Sequence, residues 1–361
     1  MFLSRIPIRR WLSACLIAAL VAVVCGCREV PIPGPKPIFR YDLRPVGYPT
    51  EALGRIVGNY SDVSFLSNDL VLVTVNTTTF GADDSSPFDL PASKLLLFDL
   101  SRHDAPTATE MPVRKARDSV QSAGNGSFVL VNQAGVQICS PELQCGPAVQ
   151  TGGPLFLSPQ GTRIAVGRRE QKVLDGTTLQ VLHEFGANEP KVVPGDNGLL
   201  YAQNEKLYVK FDDKPEPQFV LDTGSTGVWP GASFLNSNSV SAVQSDKSMA
   251  IATMDGKVLF RVPLSQGSFI AEVSTAASGA RFCFHDAGYT GTSALLNFFS
   301  IERPFNLERV NVMDVASGKS RFRLRWNPRP YVGELSRPAL SPDGHRVAII
   351  RHGFLEVFEV R

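Results

Sequence analysis

Leu157-Ser158-Pro159-Gln160-Gly161-Thr162-Arg163-Ile164-Ala165-Val166 returns near the C-terminus as Leu340-Ser341-Pro342-Asp343-Gly344-His345-Arg346-Val347-Ala348-Ile349. Each stretch reads as an apolar strand end, a tight turn and a second strand. Proline presets φ at one turn position, and glycine accepts the positive φ that lets the chain reverse. The copies start 183 residues apart, four periods of about 46, which lies within the range of propeller blades.

Short apolar strands joined by polar turns give the same count. Such hairpins fall near 71–98, 128–138, 164–174, 199–209, 249–260, 281–313 and 347–358, rich in Val, Leu, Ile and Phe in partial alternation. Seven hairpins imply seven blades, with six or eight as alternatives because blades two and six are weakly marked. The 26 prolines and 30 glycines interrupt every candidate helix after the N-terminal segment, so helix should be scarce.

The two Ser-Pro-x-Gly turns, each followed by an apolar strand, resemble those of WD-repeat and TolB-like β-propellers. The likeness is clear in about two blades, and the Trp-Asp dipeptide of true WD repeats is missing. The resemblance implies an all-β fold, a ring of blades each with four antiparallel strands. A propeller closes by completing its last blade from the opposite terminus; here Phe39–Leu43 is the expected outer strand beside Leu355–Val360.

At the N-terminus, Arg5, Arg9 and Arg10 precede an apolar run, Trp11 to Cys25, in the order of a secretory signal peptide. About 15 residues fall short of the roughly 20 that a membrane-spanning helix needs. Val24-Cys25-Gly26-Cys27 resembles the lipobox of bacterial lipoproteins, although alanine or serine is commoner at the position of Cys25. The expected organisation is a signal peptide over 1–26, lipid on Cys27, a tether over 27–37 and a propeller over 38–361. A plain cleaved signal and an uncleaved anchor are the alternatives. Pro31, Pro33, Pro35 and Pro37 favour an extended, stiff tether. Export to the cell envelope, on the periplasmic side or the cell surface, follows.

The full chain has 36 basic and 34 acidic residues. Removing Arg5, Arg9 and Arg10 with the signal leaves 33 basic residues and a net charge of about −1, which provides no basic field for nucleic acid.

Several motifs suggest catalysis. Phe219–Trp229, containing Asp222-Thr223-Gly224, resembles the active-site segment of aspartic proteases, which need two aspartates sharing a proton. Only one Asp-Thr-Gly is present. Asp222 also fits a series with Asp99, Asp175 and Asp314 at the ends of third strands, which makes it structural. Gly318-Lys319-Ser320 lacks the first glycine of a phosphate-binding loop, since Met313 stands there. It reads as an Asp-x-x-Ser-Gly turn. No Gly-x-Ser-x-Gly elbow is present, and the five histidines lack zinc-site spacing. No catalytic residue, cofactor or metal is expected, with a hydrolase built on Asp222 or a small-molecule or metal site in the central channel as alternatives.

Of the cysteines left after the signal and Cys27, Cys139 and Cys145 enclose a short loop and are expected to form a disulfide. Cys283, between Phe282 and Phe284, reads as a buried thiol. Binding residues tend to lie on loops carried by a rigid scaffold, and two hairpins are interrupted by long insertions. Thr77–Ala92 carries Phe80, Asp83, Asp84, Phe88 and Asp89; Gly288–Asn306 carries Tyr289, Phe298, Phe299 and Phe305. Both join second to third strands, in blades one and six, which flank blade seven in a closed ring. An unidentified envelope protein is the expected partner of these aromatic loops. Asp83, Asp84 and Asp89 match no established calcium loop.

Overall fold

The computed structural model describes residues 34–48, 62–76, 93–102, 106–110, 119–122, 126–132, 134–142, 144–151, 153–167, 170–223, 231–244, 248–264, 269–288, 307–326 and 338–361. Their 27 strands form seven antiparallel sheets. The chain is an all-β, seven-bladed propeller, which removes the six- and eight-bladed alternatives.

Strand β1 (Phe39–Asp42) belongs to the last blade, and a 3₁₀ turn, Arg44–Val46, follows it. Blade one is β2 (Asp62–Phe65), β3 (Leu70–Asn76), β4 (Ser93–Asp99) and β5 (Thr107–Glu110). Blade two is β6 (Ser119–Ser122), β7 (Phe128–Asn132) and β8 (Gly135–Cys139). Blade three is β9 (Leu155–Leu157), β10 (Arg163–Val166), β11 (Gln171–Asp175) and β12 (Val181–Phe185). Blade four is β13 (Val192–Gly195), β14 (Gly198–Gln203), β15 (Lys206–Phe211) and β16 (Gln218–Asp222). Blade five is β17 (Ala232–Asn236), β18 (Ser239–Val243), β19 (Ser248–Thr253) and β20 (Val258–Pro263). Blade six is β21 (Phe269–Thr275), β22 (Arg281–Gly288), β23 (Leu307–Asp314) and β24 (Ser320–Trp326). Blade seven is β25 (Ala339–Leu340), β26 (Arg346–Arg351) and β27 (Phe354–Glu359), completed on the outside by β1.

Closure uses the expected strand. Phe39 pairs with Val357 and Asp42 with Phe354. The rings of Phe39 and Tyr41 meet Phe98 of blade one edge-on, at 5.9 and 5.0 Å. The Arg40 guanidinium lies 3.9 Å from the centre of the Phe354 ring, and the nearly buried Glu356 is held between Arg40 and Arg351.

The core is divided among the gaps between blades. Seven apolar clusters each join two neighbouring blades, which is how a chain longer than one ordinary core supports a single fold. Second strands pack on both faces, so β26 is buried from Val347 to Ile350 and reads as a continuous apolar run. Strands farther out alternate, as β24 does with Phe322, Leu324 and Trp326 buried and Arg323 and Arg325 exposed.

Two assignments differ from the sequence expectation. The hairpin at 249–260 joins third to fourth strands, β19 to β20; the second-to-third hairpin of blade five is β18 to β19. Ser239-Val240-Ser241-Ala242-Val243 has too many small polar residues to stand out, yet Ser239, Val240, Ser241 and Ala242 are all buried. Asp99, Asp175 and Asp314 do end third strands, but Asp222 ends the outermost strand of blade four.

Blade two keeps three regular strands. In place of a fourth, the chain after β8 runs back beside it through bridges between Cys139 and Cys145 and between Val136 and Val149. The Cys139–Cys145 disulfide pins this return, with Cα atoms 4.0 Å apart. Gly135 has φ +122°, and a Cβ there would lie 2.0 Å from the Val149 carbonyl oxygen, so the returning chain requires glycine at this position.

Candidate functional site

Antiparallel strands alternate in direction, so the first-to-second and third-to-fourth turns open on one face of the ring, and the second-to-third turns open on the other. The first face is built from repeated turns. Ser158 Oγ accepts the Arg163 N–H at 3.0 Å, and Ser341 Oγ accepts the Arg346 N–H at 2.9 Å. Gly161 and Gly344 adopt φ of 69° and 75°, and each donates its N–H to the carbonyl of the serine, at 2.9 and 2.8 Å. Ala276–Arg281 has the same backbone, with Gly279 N–H donating to the Ala276 carbonyl at 2.8 Å and φ of 67°. It is a third copy in which alanine replaces serine.

The arginine that ends each turn reaches the next blade. Arg163 donates to Asp212 of blade four at 3.0 Å. Arg281 donates to the Gly344 carbonyl of blade seven at 2.9 Å. Arg346 donates to the Asn68 carbonyl of blade one at 2.8 Å and pairs with Asp69. The aspartates at third-strand ends organise the remaining turns: the Asp175 carboxylate accepts the N–H groups of Thr177 and Thr178 at 2.9 and 2.7 Å. In the Asp-x-x-Ser-Gly turn, Asp314 accepts the Ser317 hydroxyl at 3.2 Å.

On the opposite face the hairpins end differently. Blade four closes its second-to-third hairpin with Asn204 and Glu205, at φ of 51° and 61°. Blade seven closes with His352 and Gly353, at 53° and 76°. These are two-residue turns that match strand twist. In blade one the paired ends are Asn76 and Ser93, and in blade six Gly288 and Leu307. The insertions therefore leave equivalent hairpins on both sides of blade seven. Phe80, Asp83, Asp84, Phe88 and Asp89, and likewise Tyr289, Phe298, Phe299 and Phe305, lie outside the described residues, as does Cys27.

The stem of the blade-six insertion contains buried ionisable groups that sequence reading missed. Asp286, fully buried, receives two hydrogen bonds of 2.7 Å from Arg309, which also donates to the Pro263 carbonyl of blade five at 3.2 Å. On the other side of the sheet, His285 Nε2 lies 3.0 Å from Glu308 Oε2. Its ring stacks on Trp326 at 5.6 Å, and Nδ1 has no hydrogen-bond partner among the described residues. Buried charges persist when paired and hydrogen-bonded, and the chain here carries polar groups into the interfaces on both sides of the inserted hairpin. The signal was available: His285 and Asp286 interrupt an otherwise apolar strand.

Inner strands of five blades line a central cavity of about 160 Å³, with Asp62, Ser64, Gln121, Ser122, Ser274 and Thr275 among its polar groups. Among the described residues, no group of three His, Cys, Asp or Glu side chains is placed to hold a metal. Asp222 is exposed at the outer edge of blade four, opposite Lys206. The Thr223 N–H and hydroxyl both donate to the Glu205 carbonyl, at 2.8 and 3.1 Å, and Gly224 lies outside the described residues. Cys283 is fully buried.

No family model matches the chain, and no curated protein matches it. Among solved structures, 1139 chains match, so the architecture alone narrows the function little. A chain in the crystal structure of a mitotic checkpoint complex aligns with a TM-score of 0.54 at 13% identity, covering 92% of this chain and 97% of its own length. A KlHsv2 variant whose loop 6CD is replaced by a Gly-Ser linker aligns at 0.42 and 11% identity, over 66% and 75%. At 13% identity the first likeness speaks to the fold alone, a seven-bladed ring resembling WD-repeat propellers.

Proposed function

We propose that this chain is a non-catalytic binding scaffold, exported and lipid-anchored through Cys27, whose partner is an envelope protein held by the blade-one and blade-six insertions. The supporting observation is the placement of their stems. Equivalent hairpins in the two neighbours of blade seven carry the insertions, whereas blade seven itself closes in two residues. The two stems therefore bring aromatic-rich insertions to one face on either side of a two-residue turn, and partner-binding residues tend to lie on loops carried by a rigid scaffold.

Replacing 77–92 with a short glycine turn, followed by cross-linking in the native envelope, tests this. Loss of one defined partner by a folded variant is the expected result; an unchanged partner set would place the site elsewhere. Cys27→Ser should abolish incorporation of labelled fatty acid, and continued labelling would refute the anchor.

A second reading, a small molecule bound in the channel, draws support from the hydroxyl-lined cavity on the axis. A hydrolase built on Asp222 is less favoured, because that carboxylate sits on the outer edge of a blade.

A further inference from the structure

The gap between blades three and four is unlike the others. Its apolar cluster has four buried residues, Ala165, Val173, Val192 and Leu199, fewer than any other interface among the described residues. Gln171 spans its floor: its fully buried side-chain amide donates to the Val192 carbonyl at 2.9 Å and accepts the Val192 N–H at 2.8 Å. Farther out the walls part and leave a cleft of about 690 Å³, within the roughly 300–1,000 Å³ usual for small-molecule sites.

On the blade-three wall, β12 is the one outer strand whose first four residues are all exposed among those with described side chains, Leu182 at 41%. On the blade-four wall Tyr201 and Phe211 line the cleft; Tyr208, outside the lining, stacks on Tyr201 at 5.7 Å, with Phe219 edge-on to Tyr208 at 6.0 Å. The Lys214 ammonium lies 4.6 Å from the centre of the Phe211 ring. The other side of the same strands, Leu200, Leu207 and Val209, is fully packed against blade five, so the polar character is confined to the cleft side.

The cleft lining holds three cations, Arg163, Lys210 and Lys214, and three carboxylates, Glu184, Asp212 and Asp213. Arg163 is already paired with Asp212, and Glu184 with Lys172 at 3.0 Å. This balance disfavours a strongly charged ligand of either sign. It suits a neutral ligand rich in hydroxyls, because each hydroxyl both donates and accepts. Lysine and tyrosine groups donate to such a ligand and carboxylates accept from it. The negative faces of the aromatic rings attract the C–H-bearing face of a sugar ring. Burial, Tyr208 and Glu216 push the Tyr201 phenol up, keeping it a neutral donor.

We propose that the cleft between blades three and four binds a neutral oligosaccharide. This site is separate from the face assigned above to a protein partner, so the two assignments stand or fall independently. The test is titration calorimetry of the full chain with chitotriose, cellotriose and maltotriose up to about 10 mM, a range that captures millimolar affinities. The expected result is binding of at least one trisaccharide, weakened roughly tenfold or more by Tyr201→Ala and by Asp213→Ala with thermal midpoints retained. If Tyr201→Ala fails to fold, the rim substitution Asp213→Ala decides alone. Absence of binding by all three sugars, or binding indifferent to the substitutions, would overturn the proposal. So would a peptide copying residues 181–185 binding the cleft where no sugar does, which would assign the cleft to strand addition.

Discussion

Where first strands turn into second strands, Ser158, Gly161 and Arg163 of blade three are matched atom for atom by Ser341, Gly344 and Arg346 of blade seven. On the opposite face, the hairpins of blades two, four and seven leave two residues between their paired ends, and those of blades one and six open into insertions spanning 77–92 and 289–306. On the turn-bearing face, arginines of blades three, six and seven reach the next blade, and aspartates of blades three and six brace their own turns. An altered turn would break contacts across a blade boundary. The other face has no such repeated fastening among the described residues, so it can carry long loops above a rigid ring.

The largest test of this contrast lies below the blade-six insertion. Arg309→Leu removes both guanidinium hydrogen bonds to the buried Asp286 carboxylate, and should lower unfolding free energy by about 3–5 kcal/mol in denaturant titration. Replacing Asp286 with leucine as well should recover much of the loss; no recovery would mean that packing, not charge, holds the stem together. Next is the disulfide. Cys139→Ser with Cys145→Ser should cost about 2 kcal/mol, as expected for a loop this short, measured by the same titration. A negligible cost would show that the bridge between Val136 and Val149 is sufficient to hold the returning chain.

A smaller effect is expected on the turn-bearing face. Arg163→Ala removes a partly exposed tie to Asp212 and should cost about 1 kcal/mol. If it costs as much as Arg309→Leu, the view that repetition rather than burial secures this face fails. The smallest effect is acid sensitivity. Hydrogen bonds from Thr178 and Thr177 hold the Asp175 carboxyl below its ordinary value, and Arg321 does the same for Asp314. A lowered folded pKa stabilises the fold above the unfolded value, near pH 4, and that contribution is lost as pH falls through the folded value. Amide exchange at pH 5 and pH 3 should show residues 176–179 and 315–319 losing protection before the turns at 204–205 and 352–353. Equal loss on both faces would contradict the assignment.

The Ser-Pro-x-Gly turns were legible because their chemistry is local: proline, glycine and the capping serine act on neighbours within a few residues. Closure by Phe39–Asp42 was legible because a strand was missing from the last blade. The strand number within a blade was not. Thus 249–260 read as a second-to-third hairpin, since a strand's alternation does not record how far it lies from the axis. Blade two looked weak for a physical reason, its fourth strand being replaced by a disulfide-pinned return. The Ala276–Arg281 turn escaped notice because it lacks both serine and proline at the matching positions, although its glycine and arginine keep the geometry.

The pairing of side chains across blades was also hidden. Arg163 and Asp212 are 49 residues apart, and nothing in either segment names the other. The same holds for the cleft between blades three and four, whose walls come from strands that read separately as ordinary amphipathic runs.

By itself the sequence determined the Ser-Pro-x-Gly repeat, the all-β character and the positions of the long insertions, because hydrophobic alternation and turn chemistry act over a few residues. Only the tertiary structure decided which strand is innermost, which charges meet inside blade six and where two blades part to leave a cleft, because these depend on how sheets face one another around a closed circle.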